Sequence, residues 1–455
     1  MQKPETKSPP GPKNGISLTE AQEMQNDTLG FVMKAAAQYG DIMRYRIGFW
    51  DVYFLNHPDY IQHVLLDNWK NYGRQTFQFK KFALVTGDGL LNTHGERWQK
   101  HRRLMQPSFH QKKLGGMAEA MWSAVGRLGD RWDRLLVENG GTAEIEVDSH
   151  MLRLALEIVG QALFSLDLTA EADHLSQEML EMMTYIVYRS QNLLALPAIV
   201  PTPRNNRFRR TLNKLNRRIQ EMIAARRQAG EAVHDDLLDL LVFSQDATGQ
   251  GLSDVEIRDE VMTLMIAGYE TVASGMSWLW SLLAEHEDVQ ARLVAELREA
   301  LGNGRPTYRQ MSQLPILNGV IQEGFRLYPP SWLITRRSLA PDQIGGYDIP
   351  AGSLVVLCPY AIHRHPDFWP DGERFDIGRF LDGAEKAQHK YAYIPFGGGP
   401  HLCIGKPFAQ LEAALTLGTL LPRFKLTHAR PKPAVDPQVT IRPSDGLWMN
   451  LTRRD

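Results

Sequence analysis

Residues 396–405 of this 455-residue chain are Phe-Gly-Gly-Gly-Pro-His-Leu-Cys-Ile-Gly, which place one cysteine on a glycine-rich loop just before a helical pattern. The three glycines, Gly397 to Gly399, let the backbone approach a flat ligand closely, because they carry no Cβ atom. A helix that begins near Ile404 would direct its N-terminal amides toward the sulfur of Cys403. Both features favour the thiolate form of this cysteine.

A lone cysteine is most often a small buried hydrophobe, so the interpretation of Cys403 depends on the spacing around it. The pattern Phe-x-x-Gly-x-x-x-Cys-x-Gly resembles the signature of the cytochrome P-450 superfamily, with His401 where most members carry arginine. The resemblance implies that Cys403 is the thiolate ligand of haem b, and such a ligand donates electron density strongly to the iron. It also implies that Phe396 and Gly405 contact the haem and that His401 holds a propionate.

A zinc site is the weakest alternative for this loop. His401 and Cys403 could supply two ligands, but no further Cys or His lies at ligand spacing.

The longest helical pattern begins with the capping box Ser253-Asp254-Val255-Glu256 and continues for roughly 30 residues. Within it, Ala267-Gly268-Tyr269-Glu270-Thr271 resembles the family's oxygen-binding motif. A glycine within a helix costs about 1 kcal/mol relative to alanine, so its presence here needs a reason. A local opening of the helix beside the haem would supply one. Thr271 and Glu270 would then relay protons. Alternatively, the Thr271 hydroxyl bonds back to the preceding turn and Glu270 lies on the solvent face.

Glu323 and Arg326 lie three residues apart in a helical pattern that ends before Pro329-Pro330, so they share one helix face. Together with Arg379 they resemble the Glu-Arg-Arg triad of the family, although Ile377-Gly378-Arg379-Phe380 stands where Pro-Glu-Arg-Phe is usual. The resemblance implies a buried structural network rather than a catalytic group. This network would hold the segment 376–395, which lacks periodicity and is interpreted as a long irregular loop.

Trp98 and Arg102 lie at positions i and i+4 of a helical pattern, where an indole N–H and a guanidinium can grip one carboxylate. They match the Trp-x-x-x-Arg motif of the family, which implies that they hold a haem propionate. Arg336 corresponds to a second propionate ligand. Arg337 is the competing candidate, because a shift of one residue along a strand places the side chain on the opposite face of the sheet.

The residues that face the substrate are less defined. Phe77, Phe79 and Phe82 lie where the family places a substrate-facing loop, and Ser331 and Ile334 follow the Pro-Pro turn. Each of them could equally belong to an ordinary core. A phenylalanine-rich pocket with few charges implies an apolar substrate, since burying an unpaired polar group costs free energy.

The overall composition is ordinary for a globular protein, with 43% hydrophobic and 23% charged residues. The 51 Lys+Arg nearly balance the 52 Asp+Glu, which argues against a nucleic-acid partner. The basic stretch from Arg204 to Arg227 is therefore interpreted as a solvated helix face. Only two cysteines occur, which excludes a disulfide scaffold and suits a reducing cytoplasm, and Cys358 is expected in the core.

Residues 1–15 are rich in lysine and proline and contain no apolar run that could serve as a signal peptide or membrane anchor. A flexible lead-in and a cytoplasmic location are therefore expected. A single domain should extend from residue 16 to 455, mainly α with a smaller β region near residues 42–56 and 333–357. The resemblance implies the triangular-prism fold of the cytochromes P-450 and a monomer.

The resemblance implies a haem-thiolate monooxygenase that inserts one oxygen atom of O2 into an apolar small molecule such as a terpenoid, steroid or fatty acid. No reductase motif follows the haem region, so NAD(P)H would supply electrons through a separate ferredoxin or flavodoxin. A basic patch of Lys100, Arg103 and Lys406 could attract this electron donor.

Two alternatives to the monooxygenase function remain. Glu270 and Thr271 argue against a peroxide-driven or rearranging haem-thiolate enzyme, and a haem-based sensor would need an output domain for which no residues are left.

Overall fold

The computed structural model describes residues 7–12, 17–47, 50–192, 195–245, 249–302, 304 and 307–454. The chain divides into two compact units. The first comprises Met1–Lys80 and Glu323–Cys403, and the second comprises Lys81–Gln322 and Ile404–Asp455. The single domain expected from residue 16 to 455 stays a prediction.

Helices predominate over strands in the described residues, which confirms the predicted fold class. The helices are α1 Leu18–Asn26, α2 Thr28–Tyr39, α3 Pro58–Gln62, α4 Phe77–Thr86, α5 Gly95–Met105, α6 Gln111–Glu138, α7 Val147–Phe164, α8 Ala172–Gln191, α9 Pro203–Ala229, α10 Leu237–Phe243, α11 Asp254–Glu285, α12 Glu287–Leu301, α13 Tyr308–Met311, α14 Pro315–Leu327, α15 Pro359–Ile362 and α16 Lys406–Leu420. The strands are β1 Ile42–Ile47, β2 Trp50–Leu55, β3 Tyr72–Gly73, β4 Thr142–Glu146, β5 Ile334–Ser338, β6 Asp342–Ile344, β7 Tyr347–Ile349, β8 Leu354–Leu357, β9 Phe424–His428, β10 Val435–Pro437, β11 Ile441–Pro443 and β12 Trp448–Arg453.

The first unit is built on a five-stranded sheet in the order β1-β2-β8-β5-β3. Strands β2 and β8 pair in parallel, and the other neighbours pair antiparallel. The segments 42–56 and 333–357 thus form strands, as predicted. Alternate residues of these strands enter a core of Tyr53, Leu55, Val355 and Leu357, to which the short helix α3 contributes Ile61.

The lead-in predicted at residues 1–15 is described only at residues 7–12, because residues 1–6 and 13–15 lie outside the described residues. The amide of Arg44 in β1 donates to the Pro10 carbonyl at 2.8 Å, and the amide of Asp348 in β7 donates to the Lys7 carbonyl at 3.0 Å. Residues 7–12 are therefore joined to two strands of the first unit.

The second unit is organised around α11, which is buried along most of its 32 residues and packs against α7. The predicted capping box is present, because the Ser253 hydroxyl accepts from the Glu256 amide and the Glu256 carboxylate accepts from the Ser253 amide. Strands β4, β12 and β9 form an antiparallel sheet, and β10 and β11 form a separate antiparallel pair.

One local prediction within the second unit is wrong. Helix α11 is a continuous α-helix, so it has no local opening at Gly268. The absence of a side chain has another reason: a Cβ atom on Gly268 would lie 2.8 Å from Cγ2 of Val159 in α7.

Helix α9 presents a solvated basic face, as predicted, because most of its basic residues, such as Arg204, Arg207 and Arg217, are exposed. Arg226 is the exception, since it is buried and pairs with Asp236 at 2.7 Å.

None of the helices built from the described residues combines the length and the hydropathy that a bilayer crossing requires.

Candidate active site

The cysteine loop of the first unit is closed by a backbone hydrogen bond from the Cys403 amide to the Phe396 carbonyl at 3.0 Å. Gly397 and Gly399 have φ angles of 71° and 63°, which glycine adopts without strain. A Cβ atom on Gly399 would lie 1.8 Å from the Leu65 carbonyl oxygen, which belongs to a π-helical turn at His63–Asp67. Two of the three glycines are thus required by the backbone itself, and the loop leaves Cys403 exposed.

The side chains beside this loop are aromatic or aliphatic. The His401 ring meets Trp69 edge to face at 5.5 Å between centroids, and the Phe396 ring meets Phe325 at 5.9 Å. The Ile334 Cδ1 atom would lie 4.0 Å from a Cβ atom on Gly397, so Ile334 is a neighbour of the loop.

The helix predicted from Ile404 begins two residues later, with Gly405 as its N-cap and Lys406 as its first residue. In the part of the chain that the structure describes, no group of three or more His, Cys, Asp or Glu side chains is arranged to hold a metal ion.

The structure distinguishes the two arginines of β5. Arg336 is 6% exposed and lies opposite Val355 in the sheet, whereas Arg337 is exposed. Within the described residues Arg336 pairs with no carboxylate, and its Nη1 donates to the Thr335 carbonyl at 2.9 Å. Burial lowers the pKa of Arg336 to about 10. A buried cation without a carboxylate is suited to bind an anionic ligand, which favours Arg336 over Arg337.

The structure brings Glu323, Arg326 and Arg379 together in the first unit. The Glu323 carboxylate accepts from Arg326 Nε at 2.6 Å and Nη2 at 2.8 Å, and both side chains are fully buried. Arg379 Nε lies 3.5 Å from Glu323 Oε1, and Arg379 Nη2 donates to the Pro370 carbonyl at 2.6 Å. Burial raises the pKa of Glu323, and the two guanidinium groups oppose that rise.

This cluster also holds the backbone of the segment that follows. Arg326 Nη1 donates to the carbonyls of His363 and Gly372, both at 2.7 Å, and the Asp376 amide donates to Glu323 at 2.9 Å. From residue 376 to 395 the chain has three short 3-10 turns, Ile377–Phe380, Ala384–Ala387 and Lys390–Ala392, but no α-helix or strand, as predicted. The cluster therefore stabilises an irregular loop.

Helix α5 of the second unit carries Trp98, which is buried, and Arg102, which is half-buried. Between them lies His101, whose Nδ1 is 2.5 Å from Oε1 of the fully buried Glu260 in α11. The other oxygen of Glu260 accepts from the Leu90 amide at 3.0 Å. Sequence reasoning missed this pair. His101 follows Trp98 by three residues and so shares its helix face, which was the one available signal.

Helix α11 exposes only a narrow stripe around the motif. Ala267 is exposed and Gly268 and Thr271 are half-buried, while the preceding residues 259–266 and the following residues 272–283 are buried. The Thr271 hydroxyl donates to the Ala267 carbonyl at 2.6 Å, which was the alternative interpretation of this residue. Glu270, however, is 2% exposed rather than on the solvent face. Burial raises the pKa of Glu270 to about 7.

The aromatic residues expected in a substrate-facing loop lie instead in a helix, α4, so the loop conformation is wrong. Phe77 is 45% exposed, Phe79 and Phe82 are half-buried, and Ser331 is exposed. The predicted basic patch lies in the second unit, where Lys100 and Arg103 are exposed and Lys406 is half-buried.

Features of both units fit haem, which is flat, carries two propionates and takes a thiolate ligand. The first unit offers an exposed cysteine on a glycine-rich loop and a buried arginine without a carboxylate. The second unit offers a helix with small residues at its one uncovered stripe. These residue types supply a metal ligand, an anion partner and a flat contact surface.

Comparison with known proteins gives one consistent result. The family model for cytochrome P-450 matches residues 9–449. Cyclooctatin synthase of Streptomyces melanosporofaciens is 34% identical over 402 residues, which are 87% of this chain and 86% of that protein. Pentalenene oxygenase of Streptomyces avermitilis is 30% identical over 423 residues, which are 93% of this chain and 90% of that protein.

A solved structure agrees with these relatives. A crystallised cytochrome P-450 haem domain superimposes with a TM-score of 0.88 and 26% identity, covering 99% of this chain and 98% of that one. The family model and these relatives therefore agree: the chain belongs to the cytochrome P-450 family.

Proposed function

We propose that this enzyme hydroxylates or epoxidises an apolar terpenoid, with electrons from a separate ferredoxin or flavodoxin. Membership of the family makes the chain a haem-thiolate monooxygenase. Two relatives support the choice of substrate. Cyclooctat-9-en-7-ol 5-monooxygenase of Streptomyces melanosporofaciens is 34% identical over 397 residues, and pentalenene oxygenase is 30% identical over 423 residues. Each name refers to an unsaturated carbon skeleton, which an apolar pocket would suit.

We assign Cys403 as the iron ligand and Arg336, His401, Trp98 and Arg102 as propionate partners. Contacts to the flat faces are assigned to Phe396, Gly405, Ala267 and Gly268. Haem supplies, when bound, the iron chemistry that activates O2. The chain supplies the thiolate, the cationic partners and the protons.

The proton pathway is assigned to Thr271 and Glu270. The Thr271 hydroxyl donates a hydrogen bond to the Ala267 carbonyl, which leaves its oxygen lone pairs able to accept a hydrogen bond from another donor. The Glu270 carboxyl has a pKa of about 7, so it can hold or release a proton near neutral pH. The pair thus combines a proton store with a hydroxyl relay.

The observation that carries the proposal is the Cys403 loop, closed on Phe396 and lined by glycine. We expect the reduced CO complex to show the strongly red-shifted Soret band of thiolate ligation, and Cys403→Ser to abolish it. Cys358→Ala is the matched control, because Cys358 is fully buried in the first unit and should leave the band unchanged. A red-shifted band in Cys403→Ser would contradict the assignment.

The substrate class is tested by spin-state shifts of the haem absorption with a panel of cyclic terpenoids, steroids and fatty acids. We expect the cyclic terpenoids to bind best. Fatty acids are the second candidate, because leukotriene-B4 omega-hydroxylase 3 of Mus musculus is 31% identical over 389 residues. A shift with fatty acids alone would replace the terpenoid proposal.

A further inference from the structure

A network of buried polar side chains lies between α11, α7 and the β10–β11 pair in the second unit. The Thr440 hydroxyl donates to Glu270 Oε1 at 3.1 Å, and Arg442 Nη2 donates to Asp148 Oδ2 in α7. The Ser277 hydroxyl donates to the other oxygen of Asp148 at 3.0 Å. The hydrogen bonds form two groups, Glu270–Thr440 and Ser277–Asp148–Arg442, and they join residues 129 to 294 positions apart, so no local pattern predicts them.

Hydrogen bonding in this network is incomplete at two atoms. Among the described residues, Glu270 Oε2 accepts no hydrogen bond and Arg442 Nη1 donates none, although both atoms are buried. A buried donor or acceptor without a partner costs free energy. The network therefore has one spare acceptor on Glu270 and one spare donor on Arg442, which is the arrangement expected of groups that change partners.

The backbone of β11 is held firmly against α11. The Ile441 carbonyl accepts from the Ser274 hydroxyl at 2.6 Å and from Trp278 Nε1 at 3.1 Å. Thr440 and Arg442 flank this carbonyl, so their backbone positions relative to α11 are determined by these two hydrogen bonds. Their side chains can then reach Glu270 and Asp148 from a rigid support.

We propose that Arg442 and Thr440 are positioning residues for Glu270, which hold its carboxylate toward β11 and control when it keeps its proton, with Arg442 shared between Glu270 and Asp148. This inference rests on the proposed role of Glu270 as a proton store. It adds to that role Arg442 of β11 and Thr440, which lies two residues before it, in a segment that carries none of the family motifs described above.

The direction of the effect follows from the charges that face Glu270. Arg442 from β11 lowers the pKa of Glu270 and Asp148 from α7 raises it, while Thr440 lowers it through its hydrogen bond. Tyr269, the neighbour in α11, is fully buried and neutral. Removal of Arg442 should therefore leave Glu270 protonated to a higher pH, and removal of the Thr440 hydroxyl should act in the same direction but more weakly.

The test is infrared titration of the carboxylic-acid carbonyl band in the haem-loaded enzyme, with Glu270→Gln identifying the band of Glu270. In Arg442→Gln the apparent pKa of that band should rise by about one unit or more. Thr440→Val should give a smaller rise. Arg453→Gln is the control, because Arg453 is 65% exposed and pairs with Asp133; it should leave the titration unchanged.

Arg442→Gln also leaves Asp148 buried without its cation, so the double variant Asp148→Asn/Arg442→Gln is compared with Asp148→Asn alone. A higher pKa of Glu270 in the double variant supports the proposal. An unchanged titration of Glu270 in Thr440→Val and in the double variant overturns it. Product formed per NAD(P)H in Glu270→Gln tests the proton-store role separately, since that role can fail while the titration shifts persist.

Discussion

Two buried glutamates, one in each unit, differ in how fully they are hydrogen-bonded. Glu323 is 0% exposed and accepts three hydrogen bonds, two from Arg326 and one from the Asp376 amide. Glu270 is 2% exposed and accepts one, from Thr440, while its second oxygen accepts none among the described residues. Burial alone therefore does not distinguish Glu323 from Glu270, whereas the number of hydrogen bonds does.

The number of donors explains the difference. A bidentate guanidinium and a backbone amide favour the ionised form of Glu323 and hold it in one position, because moving it would leave charges unpaired. Glu270 has a single neutral donor and a shared cation, so its two protonation states are closer in free energy. The first arrangement suits a rigid support for a loop, and the second suits proton exchange.

The largest effect is expected for Glu323→Ala. The substitution would leave Arg326 buried without its carboxylate, which costs about 3–5 kcal/mol out of a typical 5–15 kcal/mol. Denaturant unfolding and haem content measure the loss. Glu23→Ala is the control, because Glu23 pairs with Lys34 in the same unit and both side chains are exposed, at 38% and 64%, so its loss should be much smaller. An unshifted unfolding curve for Glu323→Ala would show that the cluster stabilises the fold no more than an ordinary surface ion pair does.

Arg379→Ala should cost less, about 1–3 kcal/mol, because Arg379 lies farther from Glu323 and the variant leaves Arg326 in place. Its main loss is the hydrogen bond to the Pro370 carbonyl. The same unfolding measurement ranks the two variants. A loss as large as that of Glu323→Ala would show that Arg379 and not Arg326 is the principal partner.

Glu270→Gln should fold and change the pH dependence of stability. The pKa of Glu270 is raised from 4.5 to about 7 in the folded state, so the folded protein binds the extra proton in this range. The free energy of unfolding of the parent should thus fall relative to the variant as pH rises through this window, by roughly 3 kcal/mol. Parallel curves for the two proteins would mean that folding does not raise the pKa of Glu270.

The smallest effect on stability is expected for Thr271→Ala, within about 0.5 kcal/mol, because the hydroxyl bonds only to its own helix at Ala267. Its effect should lie in coupling, with less product formed per NAD(P)H consumed and more peroxide released. Thr271→Ser retains the hydroxyl and should retain coupling. Equal coupling in Thr271→Ala and the parent would show that the Thr271 hydroxyl only bonds to its own helix and takes no part in proton delivery.

Features set by neighbours along the chain could be predicted from the sequence. The capping box at Ser253, the pairing of Glu323 with Arg326 and the glycines of the cysteine loop all depend on contacts within a few residues or on backbone angles. Helix geometry places positions i and i+3 on one face whatever the rest of the fold does. The residue types that bind haem could likewise be recognised, because the motifs are contiguous.

Tertiary structure decided the environment of those residues. Arg336 lies on the buried face of β5 and Arg337 on its exposed face, Val159 of α7 leaves no room for a side chain at Gly268, and Thr440 and Arg442 come to Glu270 from about 170 residues away. Such partners depend on which elements pack together, and a periodic pattern records that a face is buried without recording what covers it. The sequence by itself determined the chemical groups of this enzyme. Only the fold decided which of its buried charged groups are fully hydrogen-bonded and which keep an atom without a partner among the described residues.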